Sequence, residues 1–197
     1  MTAPTTPQEI LDFWFLPPSN QGYGKPRDEW FRKDACFDAA IADRFGAAIA
    51  LALAGGLREW DRDGADGTLA RILVLDQFTR NAFRGTPASF AGDALALAAA
   101  LDLEAAKADR TLEPMQRWFA YLPFEHAEDA RMQEKSVTLF AELAREHPFD
   151  FAGALDFAHR HRGVIARFGR FPHRNPILGR ASTPEELVFL SQPGSGF

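Results

Sequence analysis

A single cysteine, Cys36, in a chain of 197 residues excludes an internal disulfide and any cysteine-rich zinc site. Its neighbours Ala35 and Phe37 are apolar, so it is expected to be a small core residue rather than a nucleophile. Tyrosine is almost as scarce, with 2 residues against 18 phenylalanines, which predicts a large interior with few phenolic hydroxyls. Long apolar runs are missing as well. The longest, residues 47–54 and 94–101, fall far short of the roughly 20 residues that cross a bilayer. The first six residues have neither the basic start nor the apolar stretch of a signal peptide. These absences predict a cytoplasmic protein with no membrane association. The net charge of -5 argues against nucleic acid as a partner. There is no Gly-x-Ser-x-Gly, P-loop, dinucleotide fingerprint or His-Glu-x-x-His, so none of the chemistries tied to those patterns is indicated and no cofactor is expected.

One more absence is local. No Asp or Glu lies between Asp156 and Glu185, although the chain elsewhere is acidic. That stretch carries His159, Arg160, His161, Arg162, Arg167, Arg170, His173, Arg174 and Arg180. So many cations in one segment need carboxylate partners, either the protein's own or a ligand's.

What is present reads as helix. The composition is 46% hydrophobic and 12% aromatic, which excludes disorder. Thr6-Pro7-Gln8-Glu9 is a capping box with proline at the first helical position, and it predicts a helix from Pro7 to about Phe15 that stops at Pro17-Pro18. Residues 19–28 read as a loop. Asp34 is the expected N-cap of a helix with Phe37, Ile41, Phe45 and Ile49 on one face, ending at Gly55-Gly56. Residues 57–67 read as a polar loop anchored by Trp60. A third helix then runs from about Leu69 to Ala82. Thr86-Pro87 opens an alanine-rich helix to about Lys107, and Pro114 begins a short one interrupted at Leu122-Pro123. Long helices are expected from about Glu125 to Arg145 and from Phe149 to Phe168, the latter broken by Gly169 and Pro172. Thr183-Pro184-Glu185-Glu186 repeats the capping box and starts a last helix to about Leu190, before a loose tail over residues 191–197. No run alternates with period two for long enough to make a strand. The fold class is therefore all-α, a single domain of about eight helices in antiparallel hairpins. Aromatic clusters recur at Phe13-Trp14-Phe15, Trp30-Phe31 and Trp118-Phe119, at irregular spacing that supports no repeat.

Three helices place polar side chains where periodicity calls for apolar ones. The stripe Leu69, Ile72, Leu73 continues to Asp76 and Arg80, since residues three and four apart share a helix face. The stripe Phe140, Leu143 traces backward through Ser136 and Gln133 to Asp129 and His126. In the next helix Phe151, Leu155, Ala158 and Ile165 share a face with Arg162, and His159 lies beside it. A buried arginine must be paired, so Arg162 is expected to be buried against Asp76 or Asp129. His126, Glu128, Asp129, His159, His161 and His173 are the residues able to ligate a metal, but their spacings do not converge, and no metal is expected.

Taken together, these segments resemble the hallmarks of the family known as domain of unknown function 924. Leu75-Asp76-Gln77-Phe78 with Arg80-Asn81 and Phe83-Arg84-Gly85-Thr86-Pro87 resembles the first. Tyr121-Leu122-Pro123-Phe124-Glu125-His126 with Glu128-Asp129 resembles the second. His161-Arg162, Phe168-Gly169-Arg170-Phe171-Pro172-His173-Arg174-Asn175 and Leu178-Gly179-Arg180 resemble the third. Thr79 stands where the family commonly has proline, and Ala127 where it commonly has serine. The resemblance implies a helical fold similar to tetratricopeptide-repeat superhelices, and implies no reaction.

The candidate ligand-binding residues are Asp76, Arg80, Asn81, His126, Asp129, His159, Arg162, Arg170, His173 and Arg174. They predict a polar pocket for an anionic small molecule or the acidic end of a peptide, bound by donors that suit carboxylate or phosphate. One alternative is an enzyme acting on a small anionic substrate, with His126 or His173 as general acid–base and Asp76 or Asp129 orienting it. The other is an internal ion-pair network that fixes helix packing and binds nothing.

Overall fold

Thr6 opens the first helix as the sequence predicts. Its hydroxyl accepts the Glu9 amide, and the Glu9 carboxylate accepts the Thr6 amide. The computed structural model describes residues 4–196 apart from Phe31, and gives the backbone alone for Phe149 and Asp150. Met1–Ala3 of the N-terminal stretch, Phe31 of the aromatic pairs and Phe197 of the tail lie outside the described residues. The helices are α1 (Pro7–Phe15), α2 (Ala35–Leu53), α3 (Gly64–Leu73), α4 (Thr79–Ala82), α5 (Asp93–Ala105), α6 (Pro114–His126), α7 (Ala130–Glu146), α8 (Pro148–Phe168), α9 (Asn175–Leu178) and α10 (Pro184–Leu190). No strand occurs among the described residues, so the fold is all-α. No single helix there is long and apolar enough to cross a membrane. Contacts gather into two compact units, residues 1–84 with 88–123 and residues 85–87 with 124–197.

The first unit is built on an aromatic cluster. The aromatic groups that showed no period in the sequence meet here. Trp14 packs on Trp30 at 6.1 Å and on Phe119 at 5.4 Å, and Trp30 reaches Phe119 edge-on at 4.7 Å. Phe13 stacks on Phe37 at 5.2 Å and meets Phe45 and Phe78 edge-on. Such pairs add about 0.5–1.5 kcal/mol each beyond the area they bury. Arg27 closes the C-terminus of α1 by donating to the carbonyls of Phe13 and Trp14, both at 2.7 Å. Asp34 caps α2 through the Cys36 and Phe37 amides. Cys36 is exposed, not in the core as expected, because it lies in the first turn outside the Ile41–Phe45–Ile49 face.

The expected polar loop over residues 57–67 is instead a 3-10 helix at Arg58–Asp63, and α3 begins at Gly64. A Cβ on Gly67 would stand 1.9 Å from the Trp60 carbonyl oxygen, so only glycine permits that close packing. Between α3 and α4 the chain winds one wider turn, a π-helix over Val74–Phe78. Such a turn leaves carbonyls without their usual α-helical donors. Here the Thr79 hydroxyl donates to the Leu75 carbonyl at 2.8 Å, and Arg80 Nη1 donates to that of Asp76 at 2.8 Å. Pro123, expected to interrupt a helix, sits inside α6. Burial of Phe119, Tyr121 and Phe124 on either side of it outweighs the hydrogen bond it removes.

In the second unit, α7 and α8 pack along each other. Phe140 and Leu143 of α7 are buried with Ser136 and Gln133, as their stripe predicts. The helix itself starts later than expected. Asp129 is an exposed N-cap that accepts the Arg131 and Met132 amides, and His126 belongs to the end of α6. Gln133 fills the gap, its amide nitrogen donating to the carbonyls of Glu125 at 2.7 Å and Ala127 at 2.8 Å. Gly169 ends α8 in the left-handed region at φ 70°, the conformation its lack of a Cβ permits. The Thr183 capping box starts α10. Past it the chain turns back, with the Ser195 hydroxyl on the Leu190 carbonyl at 3.1 Å and Arg160 on the Gly194 carbonyl at 3.1 Å.

Candidate functional site

Of the ten candidate residues, Asp76, Arg80 and Asn81 belong to the first unit and the other seven to the second. In the first unit the wide turn buries Asp76 completely. Arg80 Nη1 lies 3.1 Å from its carboxylate, and the same guanidinium forks onto Asp93 of α5 at 2.9 and 3.3 Å. A buried carboxylate is thus matched by a guanidinium on its own helix face. Asn81 turns the other way. It donates to Asp38 of α2 at 2.7 Å, and Arg84 grips the same carboxylate at 2.8 and 2.9 Å. Burial raises the Asp38 pKa, but the hydrogen bonds from Arg84 and Asn81 outweigh it and hold the group below its usual value. A small surface pocket of about 140 Å³ in this unit is walled by Asp12, Tyr23, Asp66 and Gln116 among others. Burial and the nearby Glu113, Asp66 and Asp12 push the Tyr23 hydroxyl above its usual range.

In the second unit Arg162 is not the buried arginine expected. Its side chain is 38% exposed and pairs with Glu134, itself 67% exposed, at 3.2 Å. The buried residue at that level of α8 is His161, at 5% exposure, while His159 faces solvent. Both positions satisfy the period, since 161 and 162 each lie three or four residues from Ala158 and Ile165. The choice rests on the preceding turn, where Ala154 is buried and Leu155 only partly so. His161 Nδ1 sits 2.9 Å from the Phe157 carbonyl oxygen and 3.3 Å from Glu125 Oε1. A carbonyl only accepts, so Nδ1 carries the proton and Nε2 has the lone pair. Burial, with the charges of His126, His173 and Arg174 close by, lowers the His161 pKa to about 3.

The loop after α8 brings the remaining groups to one ring. Phe171 is fully buried. His161 meets it edge-on at 5.5 Å, His173 lies at 5.7 Å, and the Arg174 guanidinium stands over it at 4.7 Å. Arg174 also donates to the His126 carbonyl at 3.0 Å, and the His126 ring is 6.5 Å from His161. The Phe171 backbone is clamped from behind. Its amide donates to Glu128 at 2.7 Å, and Arg180 holds Glu128 with two bonds while donating to the Phe171 carbonyl at 3.1 Å. Burial raises the Glu128 pKa, but Arg180 and the Phe171 amide hold it below its usual value. Arg170, expected at the ligand, faces the other way and forks onto Glu186 at 2.7 and 2.9 Å. Asp129 is spent on its cap. The structure therefore joins His126, His173 and Arg174 of the candidate set with His161, and sends Asp129, His159, Arg162 and Arg170 elsewhere.

A second cavity of about 290 Å³ lies on this unit between α8, α10 and the C-terminal turn. Neither pocket is lined by any of the ten candidates. Among the described residues no group of three His, Cys, Asp or Glu is placed to hold a metal ion.

Residues 10–194 match a family described as a bacterial protein of unknown function, DUF924. The chain belongs to this family. A solved structure of a protein of unknown function from Agrobacterium tumefaciens is similar to this DUF924 chain at 40% sequence identity. The likeness covers 94% of this chain and 96% of that one, with a TM-score of 0.81. No curated protein matches. The three segments that carried the resemblance in the sequence also contain the residues left out of the candidate set. Glu125 and Glu128 stand in the second, and His161 and Arg180 in the third. Their signal was their place beside residues already chosen. What hid them was helix phase for His161, and for the two glutamates and Arg180 the lack of any local rule that pairs residues so far apart in the chain.

Proposed function

We propose that this DUF924 protein is a cytoplasmic helical binding module, on a scaffold similar to tetratricopeptide-repeat arrays. In this reading the group around Phe171 takes an anionic small molecule or the acidic end of a peptide. The observation that carries it is the gathering of Arg174 and His173 on one buried ring, with His126 next to them, while the neutral His161 spends its one N–H on the Phe157 carbonyl. Guanidinium and imidazole N–H groups suit carboxylate and phosphate oxygens. An aromatic ring under an arginine fixes its plane, which reduces the entropy lost when it forks onto an anion. Glu128 and Glu186 are engaged by Arg180 and Arg170, so the loop is rigidly held before any ligand arrives.

The test is a thermal shift of the intact protein with inorganic phosphate and with malonate. At a hundredfold excess over Kd, binding to the native state adds about 2.7 kcal/mol. At about 2–4 °C per kcal/mol for a chain of this size, the expected rise is roughly 5–10 °C. Arg174→Gln should fold and lose that rise. A wild-type protein that responds to neither anion, or a variant that responds equally, contradicts the reading.

The contact between Glu125 and His161 favours a second reading, in which the carboxylate orients an acid–base imidazole for reaction of a small anionic substrate. On that view p-nitrophenyl phosphate is hydrolysed by the wild type and not by His161→Gln. Equal rates in the two, or none in either, count against it.

A further inference from the structure

The pocket of about 140 Å³ in the first unit has a chemistry of its own. Gln8, Leu11, Asp12 and Phe15 follow the spacing i, i+3, i+4, i+7, so one face of α1 forms a wall. Leu11 and Phe15 are buried and supply its apolar surface. Asp66 from the first turn of α3, Tyr23 from the loop after α1 and Gln116 of α6 add polar groups. No lysine or arginine is among the described lining residues. Burial, and then the charges of Glu113, Asp66 and Asp12, push the Tyr23 hydroxyl above its usual range, so the field in the pocket is negative. Carboxylates at a surface are by themselves well solvated and call for no ligand. Gln116 differs from them. It is only 9% exposed, and its Oε1 accepts the Glu113 amide at 3.0 Å. A backbone amide only donates, so the oxygen end of the side chain is fixed and Nε2 is the atom left to the pocket. Among the described residues Nε2 meets no acceptor, and a donor so nearly buried calls for one. On the acid side, Gln8 Nε2 takes Asp12 Oδ1 at 2.7 Å, and neither Asp12 nor Asp66 has an ion pair among the described residues.

We propose that this pocket binds a short aliphatic amino alcohol, with its ammonium on Asp12 and Asp66, its hydroxyl oxygen accepting from Gln116 Nε2 and its stem on Leu11 and Phe15. A water fills about 30 Å³ of liquid, and a methylene group is of similar size, so 140 Å³ holds about five heavy atoms. That is well below the space a drug-sized ligand takes. A bare metal cation would meet only two lining carboxylates and would face the Gln116 N–H groups, which repel it. A diamine would set its second ammonium against the same donors. A simple alkylamine would leave Nε2 without an acceptor. The site shares no residue with the group around Phe171 and does not depend on it.

3-Amino-1-propanol is the probe, titrated at low ionic strength into the full isotope-labelled chain and followed by nuclear magnetic resonance at the backbone amides and the Gln116 side-chain amide. Two isosteres serve as partial ligands: n-butylamine exchanges the hydroxyl for a methyl, and 1,3-propanediol exchanges the ammonium for a hydroxyl. The amino alcohol is expected to give saturable shifts at Gln116 and Tyr23, with each isostere about tenfold weaker. Asp12→Asn and Asp66→Asn in one chain remove two partly exposed charges and should raise its Kd about tenfold with an unchanged circular dichroism spectrum. Gln116→Glu keeps the oxygen that accepts the Glu113 amide and removes the N–H donors, so the amino alcohol and n-butylamine should then bind within about twofold of each other. Arg174→Gln should bind the amino alcohol like the wild type, which separates this site from the one proposed above. The assignment is overturned by the absence of saturable shifts, or by either isostere binding the wild type as tightly as the amino alcohol. Calcium chloride moving the same resonances at lower concentration, or a Kd unchanged in the double aspartate variant, would overturn it equally.

Discussion

Replacing Glu186 by glutamine tests the charge logic of the Arg170–Arg180 loop at its most buried carboxylate. Glu186 is 2% exposed. It accepts two bonds from Arg170, one from the Thr183 amide at 2.8 Å and one from Asn175 at 3.2 Å. The Arg170 bonds, against the opposing effect of burial, hold its pKa down from 4.5 to about 2. At face value that shift corresponds to about 3 kcal/mol of stability. Arg170 is 29% exposed, however, and screening by water brings the expected contribution to roughly 1–2 kcal/mol. Because the folded pKa lies below the unfolded one, the stabilisation is complete above about pH 4.5 and disappears as pH falls toward 2. Urea denaturation followed by circular dichroism at pH 7, 5 and 3 measures it. Glu186→Gln should be less stable than the wild type by about 1–2 kcal/mol at pH 7 and 5, with the gap cut to less than half at pH 3. A gap that stays constant from pH 7 to 3 refutes the argument, since it would mean that shape and neutral hydrogen bonds account for the whole effect.

Three further outcomes are expected. His161 is held neutral by burial, with a folded pKa of about 3, so wild-type stability should fall as pH drops from 6.5 toward 4, by up to about 1.4 kcal/mol per unit. His161→Gln should show a flatter profile over that interval in the same denaturation series, and parallel curves would count against a neutral buried imidazole. Gly92→Ala places a Cβ 2.0 Å from the Leu75 carbonyl oxygen beside the π turn and should cost about 2–3 kcal/mol, whereas a cost under about 0.5 kcal/mol would show that the turn yields freely. Arg162→Met removes only an exposed pair and should change the stability by less than about 0.5 kcal/mol; a loss of several kcal/mol would restore the buried role expected from the sequence.

Much of the helical outline was legible because its signals act over a few residues. The Thr6 and Thr183 capping boxes and the Asp34 cap each depend on a side chain meeting a backbone group within four positions, and the Gly169 stop on a left-handed turn whose amide donates to the Ile165 carbonyl. The same reasoning misplaced the start of α7. An apolar stripe can be traced backward through a helix boundary, and only the bonds that Asp129 accepts from the Arg131 and Met132 amides mark where the helix begins. Pro123 misled in the opposite direction, since its local penalty is smaller than the burial gained by the residues around it.

By itself the sequence determined that the protein is all-α, that it belongs to the DUF924 family, and that His173 and Arg174 lie in a run of cations needing acceptors. Tertiary structure alone decided which cation meets which acceptor. Residues 161 and 162 fit the period of α8 equally well, and the packing of Ala154 and Ala158 turned His161 inward and left Arg162 to Glu134. Arg180 and Glu128 are 52 residues apart, and Arg170 and Glu186 are 16 apart. No periodicity links such positions. Helical caps follow from chain geometry over one turn, but an ion pair forms only where the fold brings two side chains within about 4 Å, and that distance is a property of the packed whole.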